Sequence, residues 1–258
     1  MSIINLSEIK IVEVDLLNLE NEGIFCIKDK KSIGYKQKLK WYQSEYKRGL
    51  RIFIAKDSSA KQIGFIEAIP SEYAWRPIYA PDFMFIQCLV IFSKEFRGLN
   101  IASELIKAVE DYSRASKKKG ICVLSSNGPW MANSTVFLKN GFTHIESKDR
   151  FELNVKSFIK LKSEAKILDF INKQKDYPNW HLLYSDQCPW HDKSAKDLQA
   201  YANEIGIKLE VTKIDYLEAQ NGPSGFGTFS LLHNGKLLAD HYISKTRFIS
   251  IVKKELKF

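Results

Sequence analysis

The sequence predicts an α/β (α+β) protein, with one larger sheet carrying helices on its faces and a smaller unit of the same class after it. Three observations predict it. Strand-like and helix-like segments alternate along most of the chain, the pattern of a sheet covered by helices. Residues 83–92, FMFIQCLVIF, are too rich in β-branched and aromatic residues for a surface helix, and they predict a central strand buried on both faces. At 258 residues, 45% of them hydrophobic, the chain exceeds one ordinary compact domain. Two domains are expected, 1–160 and 161–258, with the boundary near residue 160.

Taken in order, IKIVEV (9–14) is a strand, and YKQKLKWYQSEYKRG (35–49) carries apolar and aromatic residues at helical spacing until Gly49 closes it. RIFIAKD and KQIGFIEAIP are two strands around the polar turn DSSAKQ. SEYAWRPIYAPD (71–82) is a long loop rich in aromatics and prolines, as loops lining binding sites are. After the apolar run comes SKEFRGLN, then a helix in which Ile101, Leu105, Ile106, Ala108, Val109 and Tyr112 make an amphipathic stripe. The lysines 117–119 at its end suit the helix dipole. ICVLSS (121–126) is a strand, NGPW a turn, MANSTVFLKN a short helix ended by Gly141, and FTHIES with FELNVK a closing pair of strands. Residues 157–177 predict a polar-faced helix ahead of Pro178, and WHLLYS (180–185) opens the second domain as strand, loop, helix, strand.

Composition narrows the function classes. No apolar run approaches the roughly 20 residues needed to cross a bilayer, and MSIINLSEIK has neither a basic n-region nor an apolar h-region. A soluble, unexported, cytoplasmic protein with no membrane partner is expected. The four cysteines, Cys26, Cys88, Cys122 and Cys188, show no CxxC spacing and no partnering histidine cluster, which argues against a disulfide framework and against a bound metal. The first three lie in apolar, strand-like runs as small buried hydrophobes. The net charge of +9 is uneven: residues 1–160 hold 25 Lys and Arg against 18 Asp and Glu, residues 161–258 hold 14 against 12. A basic first domain suits a polyanionic, phosphorylated cofactor, although a solvated basic surface would look the same; no nucleic-acid partner is expected.

The unit that carries chemistry is strand, short loop, helix: CLVIF, then Ser93 to Gly98, then a helix from about Leu99. A helix N-terminus offers amide N–H groups without intrahelical partners and the positive end of the dipole, together an anion site. Gly98 lets the backbone approach a phosphate. RGLNIA (97–102) resembles the acyl-CoA pyrophosphate loop of the GNAT N-acetyltransferase superfamily, Q/R-x-x-G-x-G/A. Arg97 and Ala102 fit its ends, and Asn100 stands where glycine is usual, asparagine being more tolerant than other non-glycine residues of the left-handed conformation. VFLKNGF (136–142) is similar to the family's FYxKxGF segment, with Phe137 in the tyrosine position.

The resemblance covers roughly residues 8–156. It implies the GNAT fold with a mixed central sheet, acetyl-CoA as acyl donor and an amine-bearing small molecule or peptide as acceptor. It also implies that backbone amides from Arg97 through Gly98, Leu99, Asn100, Ile101 and Ala102 bind the pyrophosphate, and that a backbone N–H among Leu89, Val90, Ile91 and Phe92 stabilises the oxyanion. Asn133 and Phe137 fall at further cofactor positions. For the general base the leading candidate is Glu67, an acid in an otherwise apolar strand beside the cofactor strand, with Glu72 and Asp82 as rivals. Tyr79, Tyr73 or water would protonate the leaving thiolate.

In the second domain CPWH (188–191), at a strand-to-helix turn, resembles a thioredoxin-type active site, in the manner of the YoaP-like extension that some GNAT proteins carry. His191 stands where the resolving cysteine would be, and Gly227 at the cis-proline position before TFSLLHNGK. Without a second thiol the dithiol–disulfide cycle cannot run within this domain. The domain is expected to bind or shape the acceptor site. A non-catalytic acyl-CoA-binding protein and a thiol-redox protein acting through Cys188 remain the alternatives.

Overall fold

β-Branched and aromatic residues dominate the segments that pair, and the structure, a computed structural model, describes residues 9–23, 26–27, 29–96, 98–160 and 164–257. Contacts divide the chain into two units, one of Met1–Lys28, Tyr42–Ala74 and Ile78–Ile167, the other of Asp29–Trp41, Trp75–Pro77 and Leu168–Phe258.

The chain as far as Ile167 runs β1 (Lys10–Val14), α1 (Leu19–Glu22), α2 (Ile33–Lys47), β2 (Arg51–Lys56), β3 (Gln62–Pro70), β4 (Ile78–Tyr79), β5 (Phe83–Ile91), α3 (Ile101–Ala115), β6 (Gly120–Ser125), α4 (Ser134–Leu138), β7 (Thr143–Lys148), β8 (Phe151–Ser157) and β9 (Lys166–Ile167). Seven strands form one mixed sheet in the order β1-β2-β3-β5-β6-β8-β7. Every pair in it is antiparallel except β5–β6. A parallel pair cannot be joined by a tight turn, and α3 supplies the crossover. The stripe read from the sequence is the reason α3 stays on the sheet: Ile101, Leu105, Ile106 and Val109 are buried against Phe53, Ile66, Met84, Ile86 and Ile121. Each such side chain contributes about 1.5–3 kcal/mol by leaving water.

The helix expected over 157–177 does not form. Ser157 ends β8, β9 pairs antiparallel with β4 through Ile78↔Ile167 and Tyr79↔Lys166, and a short 3-10 turn spans Asn172–Asp176. Ala165 and Ile167 are buried on either side of exposed Lys166, the alternation of a strand. Side chains from β7 hold the extended form, with the Ile167 amide donating to the Glu146 carboxylate and Lys148 Nζ donating to the Ile167 carbonyl at 3.4 Å. The cysteines also differ from expectation in part. Cys122 is buried and its thiol pushed up by that burial, whereas Cys88 is half-buried and Cys26 lies half-buried in a turn.

The second unit contains β10 (Trp180–Tyr184), α5 (His191–Glu204), β11 (Leu209–Lys213), α6 (Tyr216–Gln220), β12 (Phe229–His233), β13 (Lys236–Ala239) and α7 (Lys245–Leu256). Its sheet has the order β11-β10-β12-β13, with β10–β11 parallel across α5 and the other pairs antiparallel. Local signals set the helix starts. Asp215 and Glu218 form a reciprocal capping box on α6, and Ser244 accepts from the Arg247 amide to cap α7. Gly227 is fixed by close approach: its φ is +79°, and a Cβ there would lie 2.1 Å from the Trp75 carbonyl oxygen.

His191, the first residue of α5, is a core side chain 1% exposed, with its ring 5.2 Å from that of Phe229. Burial pushes its imidazole down to about 3, with Lys38 and Arg76 adding to the shift and the backbone of Ser185 and Thr228 opposing it. The folded state thus keeps the ring neutral, while the unfolded chain binds a proton below its ordinary value of 6.5. The stability this residue contributes is present above pH 6.5 and lost progressively as the pH falls from there toward 3. Between pH 7 and pH 5 its share of the loss is about 2 kcal/mol. Urea unfolding at both values is expected to show that share in the wild type and its disappearance in His191→Leu; equal pH slopes would mean that the ring is not buried neutral.

Candidate active site

The site begins where β5 leaves β6. The two strands are in register only from Phe83↔Gly120 to Ile86↔Val123, whereas β5 stays paired with β3 as far as Ile91↔Gly64. The register with β3 shifts between Glu67, opposite Cys88, and Ala68, opposite Ile86, so Gln87 is an extra residue on β5. A bulge of this kind bends its strand and increases its twist. The burial follows the bend: Phe83–Gln87 are buried, Cys88–Ile91 half-buried and Phe92 exposed. The expectation of a strand buried on both faces therefore fails over its second half. Along that half the backbone of Leu89, Val90 and Ile91 has a strand partner on the β3 side alone, which leaves peptide groups facing a seam. Leu89 and Ile91 turn their side chains to the α3 core, so what they offer the seam is main chain.

Opposite, β6 continues past the parting through Leu124 and Ser125, paired there with β8. Its end is polar and buried: Asn154 Nδ2 donates to Ser125 Oγ at 2.8 Å, and Arg150 Nη1 donates to Ser126 Oγ at 2.7 Å. These groups were not singled out from the sequence. The serine pair closing ICVLSS was the available signal.

Beyond Ile91 the chain turns into α3. Arg97 lies outside the described residues. Gly98 is exposed at φ +83°, and a Cβ added to it would meet nothing within 4 Å. Asn100 takes φ 54°, ψ 8°, the left-handed conformation, at the N-cap position, and its side chain makes no capping hydrogen bond. The first-turn amides of Ile101, Ala102 and Ser103 thus get no cap from it, at the positive end of a 15-residue helix. Leu99 and Ala102 are half-buried, and Ile101 is in the core, so here too the backbone is what faces outward. An open glycine followed by uncapped amides is an arrangement that accepts phosphate oxygens.

The remaining candidates separate. Glu67 is fully buried on β3, opposite Cys88, between Ile66 and Ala68, which both face α3, so Glu67 faces the other side of the sheet next to the bulge. Tyr79 is not brought to the seam. It is 45% exposed on the β4–β9 ribbon with Lys166 over its ring, and it precedes the paired start of β5 rather than its open end. Glu72 and Asp82 sit at that start too: Glu72 Oε1 accepts from the Asp82 amide at 2.8 Å, and Asp82 pairs with Lys119 at 2.7 Å. The hydrogen bond from Lys119 holds the Asp82 carboxyl below the usual range, which weakens it as a base. Asn133 is the N-cap of α4, accepting from the Thr135 amide at 2.8 Å and donating to Asn127. Phe137 is core, 1% exposed and edge-on to Phe142 at 5.5 Å, so its ring is spent on packing. Among the described residues no group of three or more His, Cys, Asp or Glu is placed to hold a metal, and no helix is long and apolar enough to cross a membrane.

Residues 16–142 match the acetyltransferase (GNAT) family. Over 250 residues the chain is 27% identical to an uncharacterised N-acetyltransferase, YoaP, of Bacillus subtilis (strain 168), an overlap of 92% of this chain and 96% of that protein. Among solved structures it is similar to an acetyltransferase of the GNAT family from Staphylococcus aureus Mu50, with 14% identity, a TM-score of 0.41 and coverage of 58% of this chain and 99% of that one. It is similar as well to a spermidine N-acetyltransferase from Vibrio cholerae in complex with CoA and spermine, with 15% identity, a TM-score of 0.39 and coverage of 58% and 94%. Residues 16–142, drawn from both units, carry the likeness to that family, and the chain is an acetyltransferase of the GNAT type.

Proposed function

We propose that the protein transfers an acetyl group from acetyl-CoA to a primary amine of a small molecule or peptide, in the cytoplasm. The observation that carries this reading is the open turn Gly98–Ala102 and the uncapped start of α3, set at the end of a strand that has lost one neighbour. Bound acetyl-CoA supplies a thioester that a neutral amine can attack. The chain's own part is positional and electrostatic. Amides of Gly98–Ala102, with Arg97, take the pyrophosphate; the main chain of Leu89–Ile91 pairs with the amide-bearing arm as a neighbouring strand would, and an N–H there steadies the charge that develops on the carbonyl oxygen. Glu67, buried beside the bulge, accepts the amine proton directly or through one water. Tyr73 or water protonates the leaving sulfur, since Tyr79 sits elsewhere and Phe137 has no hydroxyl.

The domain division near residue 160 and a thioredoxin-like character for the second domain belong to the same proposal. The order β10–α5–β11 with a parallel crossover, then antiparallel β12–β13 and α7, supports it, as does the CPWH turn at the start of α5. Because His191 replaces a second thiol, the role assigned is binding rather than redox chemistry.

Two measurements test the first unit. Gly98→Trp fills a position that is exposed and empty, so calorimetric titration should show acetyl-CoA affinity lowered at least about tenfold with circular dichroism unchanged; unaltered affinity would place the pyrophosphate elsewhere. Glu67→Gln is expected to lower kcat about 10²-fold or more with acetyl-CoA affinity held within about twofold. Thiol release at the wild-type rate would remove Glu67 as the base.

A further inference from the structure

Alternation along β3 and β5 sorts their side chains onto two faces of the sheet. Ile66, Ala68, Met84, Ile86, Leu89 and Ile91 belong to the packing around α3. The residues between them face the other way, and the register sets them side by side, Glu67 opposite Cys88 and Phe65 opposite Val90. Phe92 continues that row. Its N–H donates to the Ile63 carbonyl at 3.0 Å, which keeps it in line with β5 and uses its amide, and its ring lies 6.0 Å from that of Phe65.

On this second face burial is complete over the paired part of the two strands and ends beside the seam. Phe65, Glu67 and Phe85 are at most 1% exposed, whereas Cys88 and Val90 are half-buried and Phe92 is 42% exposed. An exposed phenylalanine is common by itself. What gives this one a role is the direction from which a second substrate can come. An arm paired with Leu89–Ile91 lies in the plane of the sheet, and α3 with its core occupies one side of that plane. The amine must therefore arrive from the other side, the side of Glu67, and the surface it meets there is Val90 and Phe92.

Two properties of that surface select the acceptor. It is apolar, with an aromatic ring at its outer end about 7 Å along the strand from Val90, and such a ring packs well against another. β3 and β5 bring no Lys or Arg to this face, so a carboxylate next to the amine would be set against the Glu67 charge with no cation on either strand to offset it.

We propose that Phe92, with Val90, holds the apolar body of the acceptor, and that the acceptor is an amine joined through a short alkyl chain to an aromatic ring, with no carboxylate beside the nitrogen. The assignment lies within the first unit and rests on acetyl-CoA lying along β5 and on Glu67 as the base.

Thiol release by the full chain with saturating acetyl-CoA, measured with 3-phenylpropylamine, propylamine and homophenylalanine, tests it. Propylamine lacks the ring, and homophenylalanine is the aromatic amine with a carboxylate on the carbon next to nitrogen. kcat/KM for 3-phenylpropylamine is expected to exceed that for each of the other two at least about tenfold. In Phe92→Ala the advantage over propylamine should shrink to within about twofold, through a raised KM for the aromatic amine, with circular dichroism unchanged because the side chain is exposed. Propylamine or homophenylalanine used as well as 3-phenylpropylamine, or an advantage that survives Phe92→Ala, would overturn the assignment and leave the placement of acetyl-CoA standing. So would the absence of release with all three amines while calorimetry shows acetyl-CoA bound. Failure of acetyl-CoA itself to bind would overturn the assignment together with the placement on which it rests.

Discussion

The parting of β5 from β6 after Ile86 is the constraint on which the rest of the first unit depends. In a continuous sheet every main-chain group of a central strand is consumed by its neighbours, and a central strand then has nothing to offer a ligand. Here one extra residue, Gln87, turns the strand, so that the segment Leu89–Ile91 keeps its hold on β3 while its other side is released. The parallel relation of the two strands makes the release useful. Their connection must pass over the face of the sheet as α3, so the positive end of a 15-residue helix arrives beside the same opening.

The donors that β5 and the start of α3 offer this opening are backbone groups. Leu89, Ile91, Leu99 and Ile101 send their side chains into the packing around α3, which orients the peptide groups rigidly without any charged side chain to hold them. Preorganisation of this sort follows from close packing. The side chains that anchor the strand and helix cannot relax without opening a void, so the donors keep their direction.

Much of this was legible in the sequence, because it rests on local signals. The stripe Ile101, Leu105, Ile106, Val109 specifies α3, and Asn100 announced a left-handed residue at its start, which φ 54° bears out. The GNAT resemblance of 97–102 and 136–142 pointed to the family that residues 16–142 match. What was not legible depends on partners distant along the chain. The bulge at Gln87 is a mismatch between β3 and β5, and no property of FMFIQCLVIF by itself tells where its pairing with β6 stops. Residues 166–167 became a strand because Ile78, some 90 positions earlier, was there to pair with them. Tyr79 was expected near the chemistry for its hydroxyl, yet the same pairing holds it on the ribbon. Phe137 sits in a motif position, but its ring meets Phe142 and the core.

The second unit is assembled from three stretches of chain that are far apart in sequence. Gly34 abuts Pro189, and Trp75 abuts Gly227, so the turn that opens α5 and the turn that precedes β12 are each completed by residues made long before them. A ribosome releasing this polypeptide would expose 29–41 and 75–77 well ahead of the strands they join, and those segments must wait for their neighbours. Separating the gene near residue 160 would therefore yield a second piece lacking part of its own interior, which makes it a poor module for exchange between proteins.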